Sequence, residues 1–148
     1  MKIVAGVLLF LCLGAAPAGA VLGAYESSIT SDQQYLRGEV RETTAPGYKF
    51  QQIISPSGAV IREYVSPEGK VFGVAWQSPY IPNLQQLLGS YVTLVQQAAQ
   101  SRTRNHSAPL VVRTDDFVFS SGGHMRAFHG RAYVPSLLPK NVSAEVVR

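Results

Sequence analysis

The chain has 148 residues, 46% hydrophobic and 15% charged, with a formal net charge of +4 and a single cysteine. That length predicts one globular domain beside a targeting segment. Its Lys and Arg are spread along the chain rather than gathered in a stripe, which argues against nucleic acid as a partner.

The first twenty residues read as an export signal. Lys2 supplies a positive start, Ile3 to Gly14 an apolar run, and Ala18-Gly19-Ala20 the small-x-small pattern of a cleavage site. Cleavage is expected after Ala20, leaving residues 21–148 as one periplasmic or secreted domain with no membrane span. The competing reading is a retained anchor, because apolar residues continue to Ala24; Pro17 interrupts that run before it reaches the ~20 residues a span needs. Cys12 lies inside the leader, so the processed chain has neither thiol nor disulfide. Leu11 is too bulky to precede a lipidated cysteine.

Residues 21–47 carry a poorly defined pattern, with a short helix over 28–36 capped by Ser28. Tyr48 to Ile54 then alternates as a strand does. Ile54-Ser55-Pro56-Ser57-Gly58 is echoed eleven residues later by Val65-Ser66-Pro67-Glu68-Gly69. In each, Pro pre-sets the turn and Gly closes it, so a three-strand meander is predicted over 48–54, 59–65 and 70–77. In the third strand Phe72, Val74 and Trp76 alternate with Val71, Gly73 and Ala75, which places the bulk on one face.

A long amphipathic helix is predicted next. Leu84, Leu87, Leu88, Tyr91, Val92, Val95 and Ala98 share one arc at 3.6 residues per turn. Asn83 is its expected cap, with Gln86 completing a capping box, and Gly89 falls on the polar arc. Residues 101–109 read as a loop. Short strands are expected at 110–113 and 117–120 around Thr114-Asp115-Asp116, after which Ser121-Gly122-Gly123 turns the chain into a strand from His124 to Val134. Pro135 and Pro139 end it, leaving 141–148 as a tail or short strand. The predicted class is α+β: an antiparallel sheet, meander plus C-terminal strands, packed on one long helix.

Several blocks carry a family likeness. Arg62-Glu63-Tyr64-Val65-Ser66-Pro67 leads through Val71 to Trp76. Pro82-Asn83-Leu84 is followed by Leu87-Leu88-Gly89-Ser90-Tyr91. Ser121 to Phe128 is followed by Gly130-Arg131-Ala132-Tyr133-Val134-Pro135. Together they resemble an uncharacterised exported family of Gram-negative bacteria, domain of unknown function twenty-eight forty-four. The resemblance implies a small secreted or periplasmic protein and transfers no activity.

No motif announces a reaction. His124 and His129 suggest a metal, with His106 as a third ligand, but positions five apart on one strand point to opposite faces, so neither metal nor cofactor is expected. Asp115 and Asp116 fit a turn better than an acid/base pair. There is no Gly-x-Ser-x-Gly elbow, and Ser121-Gly122-Gly123 lacks the Lys and helix of a phosphate loop. His124, Arg126, His129, Arg131 and Tyr133 make the best recognition surface, since Arg offers a planar fork to carboxylate or phosphate. From Pro79 to Ser101 there is no charged residue. The polar arc with Gln86, Ser90, Thr93, Gln96 and Gln97 is therefore expected to face a second copy of the chain or an envelope protein, whereas a solvated helix carries charge pairs. The expected function is that of an exported, non-enzymatic binding or accessory module for an envelope protein or anionic envelope polymer. The alternative is a small hydrolase or metal enzyme using the histidines with Asp115 or Asp116.

Overall fold

A computed structural model describes residues 22–102 and 108–148. The expected leader with its cleavage point at Ala20, and His106, lie outside the described residues.

A 3-10 turn at Glu26–Ser28 leads into a helix at Ile29–Leu36 (α1). Strands follow at Glu39–Ala45 (β1), Tyr48–Ile54 (β2), Val60–Val65 (β3) and Val71–Ser78 (β4). Short helices at Leu84–Leu88 (α2) and Val92–Gln100 (α3) precede strands Leu110–Arg113 (β5), Val118–His124 (β6) and Ala127–Tyr133 (β7). The seven strands form one antiparallel sheet in the order β1-β2-β3-β4-β7-β6-β5. Among the described residues no helix is long and apolar enough to cross a membrane.

The paired turns have the chemistry their sequence predicts. Gly58 and Gly69 take φ of +89° and +76°, and their amides donate to Ser55 and Ser66, both at 2.9 Å. A Pro-started turn closed by a left-handed Gly joins neighbouring strands of an antiparallel meander. The poorly defined 21–47 segment is more ordered than expected. It contains α1 and the whole of β1, whose side chains are mostly exposed. An edge strand wet on both faces needs no apolar alternation, so its sequence shows none. Ser28 does not cap α1 through its side chain; its hydroxyl donates instead to the Tyr25 carbonyl at 2.6 Å.

The single long helix is corrected to two. α2 and α3 are parted by a 3-10 turn, Gly89–Tyr91, because Gly89 adopts φ 56° and ψ −126°, a conformation reserved for glycine. Gly89 is buried rather than on a polar arc. Asn83 does cap α2, its side chain accepting from the Gln86 amide at 3.3 Å. The Gln86 side chain turns to Asp32 Oδ1 at 2.5 Å instead of closing a capping box.

The centre of the sheet is covered on both faces. Against the helices lie Ile53, Ile61, Val74, Trp76, Phe117 and Phe119, meeting Leu87, Leu88, Val92 and Val95. Each large fully buried member contributes about 1.5–3 kcal/mol. Phe72 departs from the expected alternation. Tyr64 pairs with Gly73 and Val65 with Val71, so Phe72 is the extra residue of a bulge and points away from the helices. It joins Tyr64, Ala75 and Val147 in a second core on the opposite face. Gly73 makes this fit, since a Cβ there would lie 2.7 Å from Val147 Cγ2. The tail that covers this face is irregular, with 3-10 turns at Pro135–Leu137 and Ala144–Val146.

Candidate functional site

A cavity of about 610 Å³ opens between α3 and the end of the sheet where β4, β6 and β7 meet. It exists because the sheet side chains run out there. β6 carries Ser121-Gly122-Gly123 just before its last residue, His124, and β7 carries Gly130 opposite Ser121. A Cβ on Gly130 would lie 2.2 Å from Trp76 Cζ2, so the indole lies across bare backbone and becomes the floor. Val92, Val95 and Ala99 of α3 form one wall, and Ile81 and Leu84 close the near side. The volume suits a small molecule, and the lining is mostly apolar with a few polar groups, the usual make-up of a ligand pocket.

The polar groups are Asn83, Gln85, Gln96, Arg102 and Ser121; His129 also borders the space, but its pairing with Gln77 sets its side chain on the sheet face opposite Trp76. Among the described lining residues Arg102 is the only full cation, and none is Asp or Glu. Arg102 Nη2 donates to the Ala108 carbonyl and, at 2.8 Å, to that of Pro109. It thereby holds the end of α3 beside the start of β5.

Four of the five predicted recognition residues, His124, His129, Arg131 and Tyr133, share one sheet face, although they stand on two strands rather than one. Ser121–Gly123 is not a turn but part of β6; the chain reverses at Met125-Arg126, where Arg126 has φ 66°. His124 and His129 therefore stand on neighbouring strands, with His124 paired to Ala127 and His129 to Gly122. That register puts both on one sheet face, reversing the parity inferred for a continuous strand. Arg126 is exposed at the hairpin tip. Arg131 Nη1 donates to the Val147 carbonyl at 3.3 Å, and Tyr133 packs against the second core, so both serve the tail. Of the five, His129 alone borders the cavity. Asp115 and Asp116 precede β6 while His124 ends it, so the strand's length separates them. Among the described residues no three His, Cys, Asp or Glu gather as metal ligands.

On the helical segment Ser90, Thr93, Gln96 and Gln97 are exposed, and Gln96 borders the cavity. Gln86 is half-buried and bonded to Asp32, so it is not on that outer surface.

One pair of residues escaped the sequence reading. Asp32 is fully buried and Glu63 is 1% exposed. Burial first, then the hydrogen bond and like charge of Asp32, push the Glu63 carboxyl well above the usual carboxylate range. The signal was present in Ile61-Arg62-Glu63-Tyr64-Val65: Glu63 shares the inward parity of Ile61 and Val65, both completely buried.

No curated protein and no solved structure matches the chain. Residues 18–147 match the family described as protein of unknown function, DUF2844, and the chain belongs to that family.

Proposed function

We propose that this protein is an exported, non-enzymatic binding module that takes a small apolar ligand into the cavity between α3 and the glycine-rich ends of β6 and β7. The observation that carries this reading is the 610 Å³ space floored by Trp76, kept open by glycines where the neighbouring core is filled by Phe117 and Phe119. The leader pattern in residues 1–20 supports the exported setting. The separation of Asp115 and Asp116 from the histidines gives the hydrolase alternative no gathered set of reactive groups.

N-Phenyl-1-naphthylamine, a neutral apolar dye, tests the reading. Saturable one-to-one binding is expected, with energy transfer from Trp76, the only tryptophan in the chain. Ala99→Phe, which projects a ring from α3 into the space, abolishes it while leaving the melting temperature close to that of the parent. Absence of saturable binding, or equal binding by a folded Ala99→Phe variant, rejects the reading.

A further inference from the structure

The cavity lies in a part of the chain that contains no acid. From Lys70 to Thr114, and again from Phe117 to Ala144, the sequence has neither Asp nor Glu. Every described residue that lines the cavity comes from these two stretches. The Asp115-Asp116 pair that parts them sits at the far end of β6. Among the described residues the charge near the opening is positive: Arg102 in the lining, and Arg126 at the tip of the β6–β7 hairpin beyond Gly123 and Phe128.

The same end of the sheet also carries unsheltered apolar side chains. Ser78, the last residue of β4, pairs with Phe128, so the segment after β4 leaves the sheet beside the hairpin. Ile81 on that segment is 65% exposed, and Met125 at the tip is 85% exposed. Exposed apolar groups flanked by cations around an apolar recess form the pattern that meets a molecule with a long apolar part and an anionic end.

From this we infer that the ligand class is an anionic single-chain amphiphile, with its chain lying over Trp76 and its head near Arg102 and Arg126. The inference rests on the binding-module reading and names the ligand of that same cavity. Charge complementarity selects the head group, and the apolar lining selects the chain.

Trp76 emission reports occupancy directly, with dodecanoate as the probe at concentrations below its micelle threshold. Saturable one-to-one binding is expected. Each methylene removed, from dodecanoate to decanoate to octanoate, weakens it about fourfold, which is about 0.8 kcal/mol per methylene. Dodecyltrimethylammonium, with the same chain and the opposite charge, binds at least about tenfold more weakly, one step of about 1.4 kcal/mol. Arg102→Gln and Arg126→Asn each narrow that gap; Asn tolerates the left-handed turn position, so the second variant keeps the hairpin should the first fail to fold.

Equal binding of the cationic and anionic probes overturns the inference, as does a gap that survives Arg126→Asn combined with Arg102→Gln, or Arg126→Asn alone if the double variant does not fold. In either case binding of the neutral naphthylamine still stands, so the cavity reading survives. Loss of that dye binding as well removes both.

Discussion

Glu63 of β3 and Asp32 of α1 bring their carboxyl groups together inside the protein, beneath a helix that the Gln86 side chain also grips through Asp32 Oδ1. Two adjacent buried carboxylates do not both ionise, so the folded protein keeps a proton on the pair. Glu63 is the member whose pKa is raised, and its interaction with Asp32 ties the N-terminal segment to the sheet.

The consequence is a dependence on pH of unusual sign. An unfolded Glu63 titrates near 4.5, whereas the folded one titrates well above that. Its contribution is therefore complete below the unfolded value and is lost as pH rises through the folded value. Across that window stability falls by up to about 1.4 kcal/mol per pH unit, the slope for one proton. Urea unfolding between pH 4 and 9 measures it. Glu63→Gln, which keeps the shape and a donor without the titration, flattens the profile and is more stable than the parent at the alkaline end. Parallel profiles for the two proteins rule out Glu63 as the source.

Gly89 marks the break between α2 and α3, and its backbone angles exclude a side chain without strain. Gly89→Ala is expected to destabilise the fold by about 1–3 kcal/mol. Ser90→Ala, one residue on and exposed, changes stability by less than about 0.5 kcal/mol. Thermal melts of the two variants make the comparison, and equal melting temperatures would contradict the assignment.

The tail is held by specific bonds as well as by Val147. Tyr64 Oη donates to the Arg148 main-chain oxygen at 2.7 Å and accepts from the Arg148 amide at 3.1 Å, while Arg62 Nη1 donates to the same oxygen at 2.8 Å. Val147→Ala removes two methylene equivalents from a fully buried site and costs about 2 kcal/mol. Tyr64→Phe costs about 1 kcal/mol through the lost hydrogen bonds. Chemical denaturation tests both. Amide exchange in β4 around Phe72 should quicken in the Val147 variant, and unchanged exchange would mean that the tail does not shelter that strand.

Lys49 bridges Glu26 and Glu42 at 2.6 and 3.4 Å, joining the first 3-10 turn to the β1–β2 hairpin. The Lys49 side chain is about one-third exposed, so solvent screens much of the attraction. Lys49→Met therefore costs no more than about 1 kcal/mol at low salt, and less in 1 M salt. The hydrogen bond that Lys49 donates to Glu26 raises the Lys49 pKa above its usual value. This contribution is present through neutral pH and is lost only above about 10.5, outside the window of Glu63.

Local chemistry made much of this fold readable. Pro-x-Gly turns at residues 56–58 and 67–69 act within a few residues, so the meander and its turns follow from sequence alone. The helical face of Leu87, Leu88, Val92 and Val95 is likewise written in a short period, and so is the Asn83 cap. α1 was legible for the same reason, although its supposed Ser28 cap was not used.

The remainder depended on neighbours distant in the chain. Phe72 changes face because the register with β3 slips at Val65, and a periodicity count has no means of detecting an extra residue opposite one partner. Ser121-Gly122-Gly123 has turn composition, yet it lies within a strand because β7 pairs along it and Trp76 needs bare backbone at Gly130. That error also inverted the relation of His124 to His129, since parity holds only while the strand is continuous. The Asp32–Glu63 pair and the cavity depend wholly on tertiary contact: burial is what raises a carboxyl, and only the packed sheet decides which surface is left uncovered. What residues alone determined was thus the elements and their turns, governed by short-range sterics and hydrogen bonds; which faces met, and where a space remained, was decided by packing across the whole sheet.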